Sequence, residues 1–224
     1  MTSHQGLRER KKQQTRAQIT QAARELFAER GYDQVTLSEV ARAADVSDGT
    51  LFNYFPRKED LVFGGMQDHQ EQLLRTIRER PVGEPILTAF RRFVLEPADR
   101  GLLRADDQPS RQLLARMTRI VADSPALLAR ESQIFQRYTD ALAELIAAET
   151  AKTDEDIEPW VAANAMIGVH RALIAYVRRQ ILAGSDHRHI RRKLRTQAKH
   201  ALALLEHGLP NSLDLNPTPR TVRR

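Results

Sequence analysis

Along most of the chain, apolar residues recur three and four positions apart, the spacing that places side chains on one face of an α-helix. The first clear stripe is Ile19, Ala22, Ala23, Leu26 and Phe27, and Gly31 ends it. Nowhere do apolar and polar residues alternate between turn residues, as they do in a half-buried strand. The pattern therefore predicts an all-α protein of about nine helices.

Capping residues and helix breakers predict where the helices begin and end. Thr36 opens the second helix in the sequence TLSE, a capping box in which Glu39 reaches back to the cap. Ser47 caps a third helix over 48–55, and Pro56 ends it. Longer helices are predicted over about 58–80, 84–95, from 109, 125–149, 157–182 and 186–207.

The second and third helices are joined by a turn at Asp45 and Val46, which is the sequence form of a helix-turn-helix. Ala41 is small enough for the two helices to approach closely. The outer face of the third helix then presents small or polar residues, as a helix in the major groove requires. These residues are Asp48, Gly49, Thr50 and Asn53.

Composition narrows the possible functions. The 224 residues carry a formal charge of +6, which favours a polyanionic partner. Cysteine is absent, so disulfides, thiolate metal sites and a cysteine nucleophile are excluded. The histidines and carboxylates lack the spacing of a hydrolytic metal site, and no phosphate-binding loop or nucleophile elbow is present. We expect neither an enzyme nor a cofactor. No apolar run approaches the length of a membrane span, which predicts a soluble cytoplasmic protein without a membrane partner.

Residues 15–61 resemble the DNA-binding domain of the TetR family of bacterial regulators. The matching signature is A-x-x-L-F-x-x-x-G-Y, then T-x-x-x-V-A-x-x-A-x-V-S-x-G-T-L-F-x-Y-F, then K-x-x-L. The resemblance implies a homodimer that binds a palindromic operator and responds to a small molecule held in the C-terminal domain. It also implies a three-helix reading domain, residues 15–57, followed by a larger helical effector-binding and dimerisation domain, residues 58–208.

The resemblance assigns roles to individual positions. Thr36, Tyr54 and Lys58 match positions that contact phosphate, whereas Asp48, Gly49, Thr50, Phe52 and Asn53 match positions that commonly face base edges. Purely structural roles are the alternative for Phe52, Gly49 and Thr36, as core, helix start and cap. Two residues depart from the family pattern: Asp45 stands where glycine is common, and Asp48 where a basic or neutral residue is common. The second departure leaves the half-site sequence open.

The C-terminal domain yields weaker predictions. Polar and aromatic groups within apolar stripes are candidates for the effector pocket: Met66, Phe90, Met117, Phe135, Tyr138, Trp160, Asn164 and His170. Ordinary core packing is the alternative for most of them. Small and apolar residues on the last two helices predict the dimer interface, with packing inside one chain as the alternative. They are Ala165, Gly168, Ala172, Ala175, Leu194, Ala198, Ala201, Leu202 and Leu205.

Both ends of the chain are basic. Residues 1–14 are predicted to form a flexible arm that either reaches the minor groove or stays solvated. Residues 209–224 are predicted to be a disordered tail, and the basic C-terminal helix is interpreted as a solvated face. The resemblance implies a repressor that a small apolar or amphipathic molecule releases from DNA. The alternatives are a dimeric sensor or antirepressor without sequence-specific DNA binding, and an architectural DNA binder. The effector, the operator, the regulated genes and the sign of regulation are not predicted.

Overall fold

The computed structural model describes residues 3–96, 108–153 and 155–208, and within these ranges the chain forms ten α-helices and no strand. The helices are α1 Ser3–Arg30, α2 Leu37–Ala43, α3 Asp48–Tyr54, α4 Lys58–Val62, α5 Gly64–Arg78, α6 Ile86–Leu95, α7 Gln108–Asp123, α8 Pro125–Thr150, α9 Glu158–Leu182 and α10 His187–His207. The all-α prediction is confirmed. The predicted tail lies outside the described residues.

The basic arm predicted over residues 1–14 is helical where the structure describes it, because α1 already begins at Ser3. Between Ser3 and Thr15 the segment is rich in arginine, lysine and glutamine, which are good helix formers, and it contains only one glycine. The helix that carries the first apolar stripe therefore extends backwards through the basic residues.

The single helix predicted over 58–80 is two helices, α4 and α5, separated at Phe63. Two consecutive glycines, Gly64 and Gly65, follow the break. A Cβ atom on Gly64 would lie 2.6 Å from the Thr20 hydroxyl oxygen and 3.1 Å from the Phe55 ring. Gly64 therefore lets the start of α5 approach α1 and the end of α3 more closely than any other residue would.

We expect Gly64→Ala to lower the free energy of unfolding by about 1–3 kcal/mol, because Thr20 and Phe55 are buried and have little room to move. Gly65→Ala is the matched control, since its Cβ would meet only the Arg24 guanidinium at an ordinary 3.5 Å. Urea unfolding of both variants measures the difference. Equal stabilities of the two variants would contradict the close-packing role of Gly64.

One hydrophobic core runs from α1 into the C-terminal helices. Buried residues from Ile19 to Leu202 form a single cluster, so the reading domain and the effector domain pack on each other. In the C-terminal half, α8 packs on α9 and α9 packs on α10. A smaller cluster of Val177, Ile181 and Ile190 closes the corner between α9 and α10.

By length and composition, α9 is the one described helix that could cross a membrane, contrary to the sequence expectation. One such helix is weak evidence for a span, because core helices pass the same test. Here α9 packs against α8 and α10 through Ala163, Met166 and Ile167, and it carries arginines at 171, 178 and 179. One side of α9 is thus buried within the chain, while Ala165, Gly168 and Ala172 on another side are exposed.

Candidate nucleic-acid interface and effector site

Local hydrogen bonds fix the helix-turn-helix. The Thr36 hydroxyl accepts from the Glu39 N–H at 3.3 Å, and the Glu39 carboxylate accepts from the Thr36 N–H at 2.8 Å, so the predicted capping box is confirmed. The pKa of Glu39 is lowered to about 2, chiefly because its carboxylate accepts from the Thr36 N–H and also because Arg30 donates to it. Asp45 adopts the left-handed conformation of the turn, with φ 51°, so aspartate replaces glycine there without loss of the turn.

The third helix is held at its first turn from two directions. The Ser47 hydroxyl accepts from the Thr50 N–H at 3.1 Å, which confirms Ser47 as the cap. The Ser38 hydroxyl donates to Asp48 at 2.9 Å and so connects α2 to α3. This bond gives Asp48 a structural role, because it helps to set the position of α3 on α2.

The outward face of α3 carries an exposed aromatic ring. Phe52 is 49% exposed, whereas Leu51 and Phe55 on either side of it are fully buried. Asp48, Gly49 and Asn53 are also exposed, and Thr50 and Tyr54 are half-buried. Phe52 is therefore not a core residue, and the core alternative for this position is wrong. The outward face of α3 therefore carries exposed apolar area beside polar side chains.

Lys58 and Thr36 lie at the same end of the reading domain. The Lys58 ammonium lies 4.4 Å from the centroid of the Tyr32 ring and donates to the Asp33 carbonyl at 3.5 Å. Asp33 lies in the turn that leads to Thr36. The cation–π contact holds the lysine over the turn while the half-buried side chain keeps access to solvent.

In the effector domain, aromatic and imidazole rings from four helices converge. His69 of α5 and His170 of α9 have ring centroids 5.0 Å apart, and Phe93 of α6 lies 4.7 Å from His69. Phe135 of α8 lies 6.2 Å from His170. These four residues are called the ring cluster below. Burial, with a smaller contribution from His69, lowers the pKa of His170 to about 3, and burial also lowers the pKa of His69.

The structure brings together some of the predicted pocket residues and separates others. Phe135 and His170 belong to the ring cluster, and the Tyr138 hydroxyl next to Phe135 donates to the Met66 carbonyl. Phe90 and Met117 are buried in the core. Trp160 and Asn164 are exposed at the start of α9, where the Asn164 amide donates to the Trp160 carbonyl at 2.8 Å. Neither of these two belongs to the ring cluster, so their assignment to a common pocket is not supported.

Sequence reasoning missed His69 and Phe93. Their spacing could have identified them, because His69 continues the stripe of Val62, Met66 and Leu73, and Phe93 follows Phe90 by one turn.

Two clefts open on the described surface. One of about 460 Å³ lies between the end of α1 and α7 and includes Tyr32, Arg116 and Arg119. Another of about 290 Å³ lies between α8 and α9, over Phe135 and beside Arg171 and Arg178. Phe135 thus forms part of both the ring cluster and the floor of the second cleft.

The predicted dimer residues fall into two groups. Ala165, Gly168 and Ala172 form an exposed stripe on α9, and Ala175 beside them is half-buried. On α10, Ala198 and Leu202 are buried in the core of their own chain, and Leu194, Ala201 and Leu205 are half-buried. Assigning Ala198 and Leu202 to a partner surface is therefore wrong, because that face of α10 is covered within the chain.

Comparison with known proteins agrees with this architecture. The family described as bacterial regulatory proteins, tetR family, matches residues 19–63, and the MftR C-terminal domain matches residues 84–210. The chain belongs to the TetR family. It is a transcriptional regulator of this family by its relatives: the regulator TcmR of Streptomyces glaucescens is 34% identical over 69% of each chain. The putative mycofactocin biosynthesis transcriptional regulator MftR of Mycobacterium tuberculosis is 28% identical over 75% of this chain and 80% of that protein.

Solved structures of other bacterial regulators have the same fold. The fatty acid degradation regulator FadR from Bacillus halodurans superposes with a TM-score of 0.52 at 22% identity, covering 87% of this chain and 99% of that protein. NalD of Pseudomonas aeruginosa, a secondary repressor of a multidrug efflux pump, gives a TM-score of 0.51 at 20% identity, over 88% of this chain and 98% of that one.

Proposed function

We propose that this TetR-family regulator is a dimeric repressor that binds a palindromic operator and is released by a small apolar or amphipathic molecule. The observation that carries the proposal is the outward face of α3, where Phe52 and Asn53 are exposed beside the capped helix start. This face combines apolar and polar side chains that can contact base edges, and DNA is the partner that the family binds. Access to DNA places the proposed activity in the cytoplasm.

The reading face has the chemistry of direct base recognition. Asn53 can pair with the N6 and N7 atoms of adenine, and Phe52 and the Thr50 methyl can contact a thymine methyl group. The Thr50 hydroxyl already lies 2.8 Å from that of Ser47, which leaves its methyl group for this contact. Asp48 can accept from cytosine N4 through the oxygen that Ser38 does not occupy.

Phosphate contacts then fix the position of the domain on the duplex. Lys58, Thr36 and Tyr54 are proposed for this role, and the position of Lys58 over the Asp33–Thr36 turn supports a shared phosphate-binding edge. The contacts are independent of sequence and sensitive to salt.

We expect Tyr54→Phe combined with Lys58→Gln to weaken binding to specific and random duplexes by a similar factor, about tenfold or more. The salt dependence should weaken as well, because each phosphate that a cation no longer neutralises lowers the slope of log K against log salt by about 0.9. Asn53→Ala serves as the contrast, since it should change the preferred sequence and leave the salt slope unaltered. Fluorescence anisotropy at several salt concentrations measures both. An unchanged salt slope in the double variant would refute the phosphate roles.

The effector is proposed to bind at the ring cluster. Two neutral imidazoles among phenyl rings favour an uncharged or weakly polar molecule whose surface is largely apolar. The cleft over Phe135 offers an approach from the surface, with Arg171 5.4 Å from the ring centroid of Phe135 at its edge.

The dimer is proposed to form through α9, along the exposed stripe of Ala165, Gly168 and Ala172. Small side chains let a second helix approach closely. The exposed Leu182 and Leu204 at the borders of this region add apolar area on α9 and α10. Two reading helices held about 34 Å apart would then match the two half-sites of an operator.

Signal transmission is proposed to run through α4 and α5. His69 lies on α5, which begins at Gly64 against Thr20 and Phe55 of the reading domain. The Arg130 guanidinium of α8 donates to the Asp60 carboxylate of α4 at 2.5 and 2.8 Å. Asp60 lies two positions after Lys58 in the chain. A ligand that moves α5 away from α9 would therefore shift the phosphate-binding edge at Lys58. In the dimer, this shift would change the distance between the two reading domains.

A further inference from the structure

We propose a second DNA-binding surface on the effector domain: the corner between α9 and α10, which contacts operator phosphates between the two half-sites. The inference rests on the proposed operator binding. It concerns a cluster of cations that sequence analysis interpreted as a solvated face. The surface, called the basic corner below, consists of Arg179 at the end of α9 and of Arg188, Arg192 and Arg195 on α10.

The cations on α10 share one side of the helix. Arg188, Arg192, Arg195 and Lys199 are spaced by four, three and four residues, so they form one stripe. All four are exposed, whereas His187, Ile190, Ala198 and Leu202 on the adjoining side are buried. The stripe therefore faces solvent from Arg188 to Lys199 and is densest in the first two turns.

The Asp186 carboxylate at the N-cap of α10 offsets part of the positive charge at this corner through Arg111 and Arg188. The first turns of a helix carry a partial positive charge, and cations there repel it. The first turn of α10 contains no acidic residue. At this corner, the carboxylates among the described residues are already engaged. Glu131 binds Arg178 at 2.5 Å, and Asp186 caps α10 through the N–H groups of Arg188 and His189. An anionic partner would offset the repulsion.

The topology places the basic corner at the end of the effector domain that faces the reading domain. Arg178, next to Arg179, binds Glu131 of α8. The neighbouring Arg130 binds Asp60 of α4, two residues from Lys58. The corner thus lies at the level of α4, while Glu206 at the other end of α10 binds Arg91 of α6.

In a dimer formed through α9, two such corners lie beside the two-fold axis and between the reading heads. Between the two half-sites, the DNA presents the phosphate backbone of the central base pairs to these corners. Arginine is suited to this contact because its guanidinium binds phosphate oxygens through two parallel hydrogen bonds.

The test compares two doubly substituted proteins that lose the same charge. Arg188→Gln with Arg192→Gln removes the first turns of the stripe. Arg75→Gln with Arg137→Gln is the control, because both side chains are exposed, on α5 and α8, and neither belongs to the stripe on α10. Binding to an operator duplex is measured from low to physiological salt.

We expect the first variant to lower the slope of log K against log salt by about 0.9 for each phosphate that it no longer binds, and the control to keep the wild-type slope. Uncharged methylphosphonate linkages at the operator centre should weaken wild-type binding and leave the first variant unaffected. If the first variant and the wild type had equal slopes of log K against log salt, the proposal would be overturned. An acidic protein would then be the remaining class of partner for the basic corner. Absence of operator binding by the wild type would instead refute the proposed function.

Discussion

Asp60→Ala should lower the free energy of unfolding by about 3–5 kcal/mol, because it leaves the Arg130 guanidinium buried without its counter-charge. The two side chains are 6% and 11% exposed, and they join α4 to α8. Replacing both, with Asp60→Ala and Arg130→Met, should recover most of the loss, since the uncompensated charge is then gone. Denaturant unfolding of the single and double variants measures the effect.

Arg91→Met is the matched control for a surface pair. Arg91 binds Glu206 through both carboxylate oxygens, but its side chain is 45% exposed, so we expect a cost of at most about 1 kcal/mol. If Asp60→Ala cost no more than Arg91→Met, the link between α4 and α8 would not be a major contribution to stability. It would then also be a poor route for a signal to the reading domain.

The protein should lose stability in acid more steeply than a variant that carries phenylalanine at position 170. Burial holds His170 neutral in the folded state with a pKa of about 3, whereas the unfolded chain takes up its proton near the ordinary pKa of 6.5. Between these values the unfolded state binds more protons. The stabilising effect of neutral His170 is therefore complete above pH 6.5 and is lost progressively as the pH falls towards 3.

Between pH 6.5 and pH 5, the stability contributed by neutral His170 should fall by at most about 2 kcal/mol, since each pH unit accounts for about 1.36 kcal/mol. This figure is an upper limit because the ring is only half-buried. Urea unfolding at pH 7.5 and pH 5 of the wild type and of His170→Phe isolates the contribution. Parallel losses in the two proteins would show that His170 does not titrate on unfolding in this range. A solvent-exposed histidine would behave in that way.

Local signals predicted the reading domain well. The capping box at Thr36, the cap at Ser47 and the turn at Asp45 depend on residues at most three positions apart, and the structure has all three. Such bonds can be read from sequence because both partners belong to the same turn. The exposure of Phe52 was not predictable in this way, since it depends on which face of α3 the other helices cover.

Contacts between distant segments explain what the sequence did not reveal. The break at Phe63 depends on Gly64 packing against Thr20 and Phe55, and Asp60 meets Arg130 across 70 positions. The apolar side of α10 was assigned to a partner because periodicity shows that a face is buried but not what buries it. In the structure, Ala198 and Leu202 of that face pack inside their own chain.

Selection of bound duplexes from a random DNA library tests the central claim, that this chain is a sequence-specific dimeric regulator. The purified protein is used at near-physiological salt, and its dimeric state is checked by light scattering. We predict an enriched inverted repeat whose half-site centres are separated by about one helical turn or a multiple of it. A folded dimer that enriches no sequence would contradict the claim.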